Sequence, residues 1–206
     1  MLTRPAGRNE KLRDRLLAAG HEVVVCPLVA VEPIGTGAID VTGYDWVVVT
    51  SATGAGELRR RAAGRPRRVA AIGRATAEAW GAEVDLVPRV STQEGLLAEL
   101  PRPAGRVLFA GAEGARRLLV EELEADFVPL YRTKALRPEH PPSGDLVVLA
   151  SPSAARALAA LEAAMPAVSI GPETTAAAEA EGLTVAAEAE THDLDGLVAA
   201  VASLAG

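Results

Sequence analysis

The residues of this chain best suited to chemistry are hydroxyls and glycines placed just after apolar runs. Thr3, Thr50-Ser51, Gly73, Gly111, Ser151 with Ser153, and Gly171 each follow a strand-like run and precede a stretch of helical period. Ser91-Thr92 and Thr191 precede the remaining helical stretches in the same way. The first N–H groups of a helix lack partners within it and carry a partial positive charge. A hydroxyl beside them completes a cradle for a phosphate or a carboxylate. The same residue types also serve ordinary N-caps and tight turns. What lifts the pattern above plain capping is its recurrence at matching places in two halves of the chain.

Tyr131 is the other candidate. The chain has two tyrosines. Tyr44 precedes a strand and is read as a packing residue. Tyr131 stands in Pro129-Leu130-Tyr131-Arg132-Thr133, where two halves of the molecule would meet, and a phenol there could donate a hydrogen bond to a leaving oxygen. Packing between the two halves is the competing role. His21, His140 and His192 are scattered without spaced partners, so a metal site is not expected. Cys26 ends a buried-looking strand and reads as core. Neither the dinucleotide glycine fingerprint nor the P-loop is present, and Gly111-Ala112-Glu113-Gly114 has the wrong spacing for either. No nucleophile elbow supports a Ser-His-acid triad.

The elements that must position these residues are written twice. Asp45-Trp46-Val47-Val48-Val49-Thr50-Ser51-Ala52 returns 100 residues later as Asp145-Leu146-Val147-Val148-Leu149-Ala150-Ser151-Pro152. Ala71-Ile72-Gly73-Arg74-Ala75-Thr76 returns as Ser169-Ile170-Gly171-Pro172-Glu173-Thr174, and Ser91 to Leu96 returns more loosely as Thr191 to Leu197. A period this long is no solenoid repeat, which would run at roughly 20–50 residues. It predicts two similar α/β lobes, with parallel sheets flanked by helices and a cleft between them. Strands are expected near 22–26, 45–50, 68–72, 83–87, 106–110, 126–131, 146–150, 167–170 and 183–187. Helices are expected near 8–19, 54–63, 74–81, 92–99, 114–125, 153–164, 173–181 and 192–203. Met1-Leu2 leaves little room for a first strand before Thr3, so that strand is either very short or clipped. Continuous apolar runs such as Val47-Val48-Val49 suit strands covered on both faces. Pro- and Gly-bearing connectors run from Val31 to Gly43 and from Thr133 to Gly144, the latter with Pro138, Pro141 and Pro142. Residues 36–130 are then expected to form one lobe and residues 1–33 with 134–206 the other. Hinges would fall near 29–35 and 130–134. Ligands of open α/β sheets bind at the carboxyl ends of the strands, where the hydroxyls lie.

The bulk composition narrows the partners. The 206 residues are 49% hydrophobic but only 3% aromatic, so the core must be Ala, Val and Leu. No apolar run approaches a membrane span, and nothing at the N-terminus resembles a signal peptide. A single cysteine excludes an internal disulfide. A cytoplasmic protein is expected, and a net charge of −6 gives no general attraction for nucleic acid or anionic lipid. The local exception is Arg59-Arg60-Arg61 with Arg65, Arg67 and Arg68. Gly64 and Pro66 interrupt the run and no aromatic is interleaved, so it reads as the solvated end of a helix.

Taken in order, several motifs resemble the uroporphyrinogen-III synthase family. They are Thr3-Arg4-Pro5, Asp45 to Ala52, Ile72-Gly73 with Thr76, Pro129 to Thr133, Ser151-Pro152-Ser153-Ala154, and Ile170-Gly171-Pro172 with Thr174. The resemblance spans essentially the whole chain. It implies two discontinuous α/β lobes joined by a two-strand linker, with the active site between them. It implies a lyase of heme biosynthesis that acts on hydroxymethylbilane, a linear tetrapyrrole bearing acetate and propionate arms. Water is lost, ring D is inverted through a spiro intermediate, and the macrocycle closes to uroporphyrinogen III. No metal or organic cofactor is implied, and a monomer suffices. By family match, Tyr131 donates to the leaving hydroxyl. Arg4, Thr50, Ser51, Thr76, Ser91, Thr92, Ser151, Ser153, Thr174 and Thr191 are assigned to the substrate's carboxylates. Two departures stand out: the Arg-Gly pair common after the strand at 106–110 is absent, and Ala150 replaces a frequent Thr. The alternative is a non-catalytic two-lobed module that senses a tetrapyrrole or another small anion.

Overall fold

The computed structural model describes residues 1–140, 142–163 and 165–204. Pro141 of the second connector, Ala164 at the end of an expected helix, and the last two residues lie outside the described residues. In chain order the elements are α1 Glu10–Ala18, β1 Val29–Pro33, β2 Ile39–Asp40, β3 Trp46–Val49, α2 Ala52–Arg61, β4 Ala62–Ala63, β5 Val69–Ala71, α3 Arg74–Trp80 and α4 Gln93–Glu99. They continue with β6 Val107–Ala112, α5 Leu118–Leu123, β7 Asp126–Ala135, β8 Val147–Leu149, α6 Pro152–Ala159, β9 Ala167–Ser169, α7 Pro172–Ala180, β10 Val185–Glu188 and α8 Leu194–Ala202. The chain divides into two compact units, Met1–Val31 with Lys134–Gly206 and Glu32–Thr133. They are called unit 1 and unit 2 below.

Unit 2 is built on a sheet of order β1-β7-β6-β3-β5, in which β3 pairs in parallel with both β5 and β6, and β6 with β7. All four residues of β3 are buried. That burial is why the strand reads as an unbroken apolar run rather than an alternating one. Trp46 and Val48 pack in one cluster with Leu96, Phe109 and Leu119. Phe109 meets Phe127 with ring centroids 5.3 Å apart.

Unit 1 holds the parallel sheet β10-β9-β8. Here the period of two is visible in the core. Val147 and Leu149 join the cluster of Leu28, Ala154 and Leu158, while Val148 between them joins Leu2, Leu12, Leu16 and Leu197. Successive side chains leave a strand on opposite faces, so both faces of β8 are covered.

All eight expected helices form, but several are shorter than their apolar period predicts. The helix expected at 114–125 is α5, Leu118–Leu123, and the one expected at 192–203 is α8, Leu194–Ala202. Two expected strands are reduced to single bridges. Residues 22–26 run beside Leu2, which bridges Val25 on one side and Val148 on the other. The pairing continues as far as the Leu28 N–H, which donates to the Thr3 carbonyl at 3.1 Å, without forming a longer ladder among the described residues. Residues 83–87 bridge β5 through Leu86 and Ala70, and the Leu86 carbonyl accepts the Ala71 N–H at 2.9 Å. In the other direction β1 extends the unit 2 sheet across residues assigned to a connector. Pro33 sits at its end, where a missing N–H costs no ladder bond. The two-residue strands β2 and β4 pair in parallel and are too short to show any period.

Candidate functional site

The hydroxyls of unit 2 gather at the carboxyl ends of β3, β5 and β6. β3 ends at Val49, Thr50 follows, and Ser51 caps α2. The Ser51 Oγ accepts the Gly54 N–H at 2.9 Å, in place of a bond the first helical turn cannot supply. The Tyr131 phenol lies 2.9 Å from the same Ser51 Oγ, and either group can be the donor. Tyr131 comes from β7, opposite Ala112 of β6, where the register shifts between Gly111 and Ala112. The irregularity re-aims the strand at this point, as bulges beside functional sites do. Tyr131 is buried, at 8% exposure, so its hydroxyl is held rather than freely solvated. Gly54 allows the close packing, whereas Gly111 would admit a methyl at ordinary contact distance. A methyl on Gly54 would sit 3.1 Å from Ser51 Oγ, and one on Gly111 would lie 3.6 Å from Thr50 Oγ1.

Thr92 caps α4 by accepting the Gly95 N–H at 3.0 Å, and Ser91 beside it is exposed. Ser91 also closes over the start of α3: a methyl on Gly73 would lie 2.9 Å from Ser91 Oγ. Thr76 is buried in the first turn of α3, and its N–H donates to the Gly73 carbonyl at 3.1 Å. That burial suits it to shaping the turn.

Unit 1 repeats the design with different side chains. Ser151 caps α6, accepting the Ala154 N–H at 3.3 Å, and its Oγ lies 3.0 Å from Ser153 Oγ. Thr174 is buried in the first turn of α7, as Thr76 is in α3. The place that Ser91 occupies over Gly73 is taken by His192, whose ring would lie 2.8 Å from a methyl on Gly171. Sequence reasoning set His192 aside; the repeat could have found it, because Ser91 and the Thr191-His192 pair occupy matching positions. The cap of α8 is Asp193 rather than Thr191. Its Oδ1 accepts the Gly196 N–H at 2.9 Å and the Thr191 hydroxyl at 3.0 Å. Thr191 therefore supports the cap. These bonds, the Gly196 N–H first, hold the Asp193 carboxyl below its ordinary pKa. Arg4, two residues after the Leu2 bridge, is half-buried. Desolvation and then the neighbouring Arg8 lower its pKa, with Glu10 opposing. Tyr44, by contrast, is surface chemistry. Its hydroxyl donates to Asp126 Oδ2 at 2.8 Å, and Arg106 lies 4.3 Å above its ring.

Because the folded pKa of Asp193 is depressed, its contribution is complete above the unfolded value of about 4 and is lost as pH falls through the folded value. Asp193→Ala is expected to lower stability by about 1 kcal/mol at pH 7, the usual worth of an N-cap. Thermal unfolding should show that the gap to the unmodified protein closes below about pH 4. A gap that stays constant down to about pH 2 would remove the charge from the account.

Among the described residues, no group of three or more His, Cys, Asp and Glu side chains is placed to hold a metal ion, and no helix is long and apolar enough to cross a membrane. The parallel sheets, flanking helices and hydroxyl-capped turns at strand ends define a two-unit α/β protein. A family model described as uroporphyrinogen-III synthase HemD matches residues 10–199. The chain belongs to the uroporphyrinogen-III synthase family. It is 25% identical over 248 residues to the uroporphyrinogen-III synthase of Synechococcus elongatus, covering 98% of this chain and 93% of that protein. Its fold is similar to the crystal structure of a mutant uroporphyrinogen III synthase from the extremely thermophilic bacterium Thermus thermophilus. There the TM-score is 0.64 at 17% identity, with 98% of this chain and 96% of the other covered.

Proposed function

We propose that the chain cyclises hydroxymethylbilane to uroporphyrinogen III, with loss of water and inversion of ring D. The observation that carries the mechanism is the Tyr131–Ser51 pair, a buried phenol 2.9 Å from a hydroxyl that already accepts a helix N–H. When Ser51 donates to the Tyr131 oxygen, the phenolic proton is directed away from Ser51. The Gly54 N–H, Ser51 Oγ–H and Tyr131 Oη–H then form one polarised chain, each bond strengthening the next. Its outer end meets the hydroxymethyl oxygen. The carbon–oxygen bond breaks with electrons from the neighbouring pyrrole nitrogen, and the oxygen leaves as water with the phenolic proton. Ring D attacks the resulting cation through its substituted α-carbon to give a spiro intermediate. The bond from that carbon to the ring C methylene then breaks, the freed methylene cation is captured at ring D's other α-carbon, and the proton lost from that carbon restores the phenol. No strong base is needed. The capped turns of each unit (Thr50, Ser51, Ser91 and Thr92 in one, Ser151 and Ser153 in the other) are offered to the acetate and propionate arms, together with Arg4. The buried Thr76 and Thr174 shape their turns, and Thr191 holds Asp193. The reading extends to a cytoplasmic monomer that handles one small-molecule substrate and no nucleic acid.

The test is isomer analysis. Fresh hydroxymethylbilane is incubated with the protein, the product is oxidised, and the type I and type III isomers are separated. Free substrate closes without inversion, so type III product is expected only with the protein present. Type I alone, at the rate seen in buffer, would sink the catalytic reading and leave a sensing module.

A further inference from the structure

Both units carry a hollow at the same point of the repeat, where one helix ends, the next strand begins and the following helix ends. In unit 1 it measures about 460 Å³ and runs from Ala159 at the end of α6, past Met165, to Thr184 beyond α7. In unit 2 it measures about 550 Å³ and runs from Arg59 in the last turn of α2, past Arg67, to Asp85 beyond α3. The fold therefore makes the hollow, and the sequence decides its charge. In unit 1 the charged residues among the described lining are Glu162 and Glu181. In unit 2 they are Arg59, Arg65, Arg67 and Arg68, against Glu83 and Asp85. One of those acids is already engaged, since Asp85 Oδ2 accepts the Val69 N–H at 2.7 Å.

Four arginines around one hollow run against a chain whose net charge is −6. Three are steadied from behind. Arg68 lies 4.4 Å from the ring centre of Trp46 and Arg59 5.8 Å from that of Trp80, while Arg67 pairs with Asp45 at 2.9 Å. A guanidinium held over an aromatic ring, as Arg59 and Arg68 are here, can still offer N–H donors to oxyanions. The hollow includes Val69, the first residue of β5, so it lies at the amino ends of the strands. Thr50, Ser51 and Gly73 lie at the opposite ends, and the two places share no residue. Sequence reasoning took the arginine run as a solvated helix end. That holds for Arg60, which is exposed and pairs with Glu57 of its own helix; Arg61 is largely buried and donates to the Gly37 and Ile34 carbonyls.

We infer that this hollow is a second binding site, taking a small organic molecule with two or more oxyanion groups. Its volume matches a metabolite rather than a nucleic-acid strand. The inference stands apart from the catalytic reading, because it uses none of those residues. The test is calorimetric titration of the full chain at constant ionic strength, with pyrophosphate and citrate as separate probes, to distinguish phosphate from carboxylate chemistry. One equivalent of at least one probe is expected to bind. Arg65→Gln, at an exposed position, should weaken binding about tenfold, as expected for one charge-assisted bond. Arg60→Gln and Ser51→Ala should leave it unchanged. Failure of both probes to saturate would overturn the site, as would binding that Arg65→Gln and Arg59→Gln leave intact or that Ser51→Ala abolishes.

Discussion

Tyr131→Phe is expected to lower kcat by about 100–1000-fold, the range for loss of one positioned donor. The fold should survive. The ring keeps its place in β7, Ser51 keeps the Gly54 N–H, and the lost bond is worth about 1 kcal/mol at most. The products carry a second signature. As the catalysed step slows, spontaneous closure competes, so the share of type I isomer should rise with the loss of rate. Stopped-time assays with isomer separation read both quantities at once. A variant with full rate and pure type III product would take Tyr131 out of the mechanism.

Ser51→Ala should act on two quantities with different sizes. Loss of the α2 cap is expected to cost about 1 kcal/mol of stability. Loss of a hydroxyl that meets a carboxylate should weaken substrate binding by about 1–3 kcal/mol, seen as KM rising more than kcat falls. The pair with Tyr131 gives a sharper reading. If Ser51 polarises the phenol, the double variant Ser51→Ala/Tyr131→Phe should lose less kcat than the two single losses combined, because both remove the same chain of bonds. Fully additive losses would return Ser51 to capping alone. Restoration of both stability and kcat by Ser51→Thr would support the hydroxyl in both roles.

The strands that position these residues were legible where burial on both faces wrote an unbroken apolar run, as in β3 and β8. Helix starts were legible from Ser51, Thr92 and Ser151, because the capping side chain is local. β1 was hidden, since Glu32 and Pro33 make an edge strand look like a connector. Residues 22–26 and 83–87 look like strands, but their partners offer a single bridge each, and partner length is invisible locally. The choice of Asp193 over Thr191 as a cap depended on a turn two residues long, within the uncertainty of any boundary. Tyr131 could be singled out by scarcity and place. Its bond to Ser51 joins residues 80 apart in sequence, and only the register of β6 on β7 creates it. The arginine hollow was illegible for a similar reason: its walls come from two helix ends and a strand start that no periodicity links.

The pairing of Leu2 with Val148 has a consequence for how the molecule is made. The Met1 amino group donates to the Leu146 carbonyl, and the Thr3 hydroxyl to the Val148 carbonyl at 2.8 Å. On a ribosome adding about 5–20 residues per second, the first three residues wait roughly 7–30 s for those partners to be synthesised. Unit 2, encoded as one uninterrupted stretch, emerges whole in the meantime. Translation therefore completes the residues of unit 2 while unit 1 still holds an unmatched edge, and a stalled nascent chain would expose that edge to chaperones.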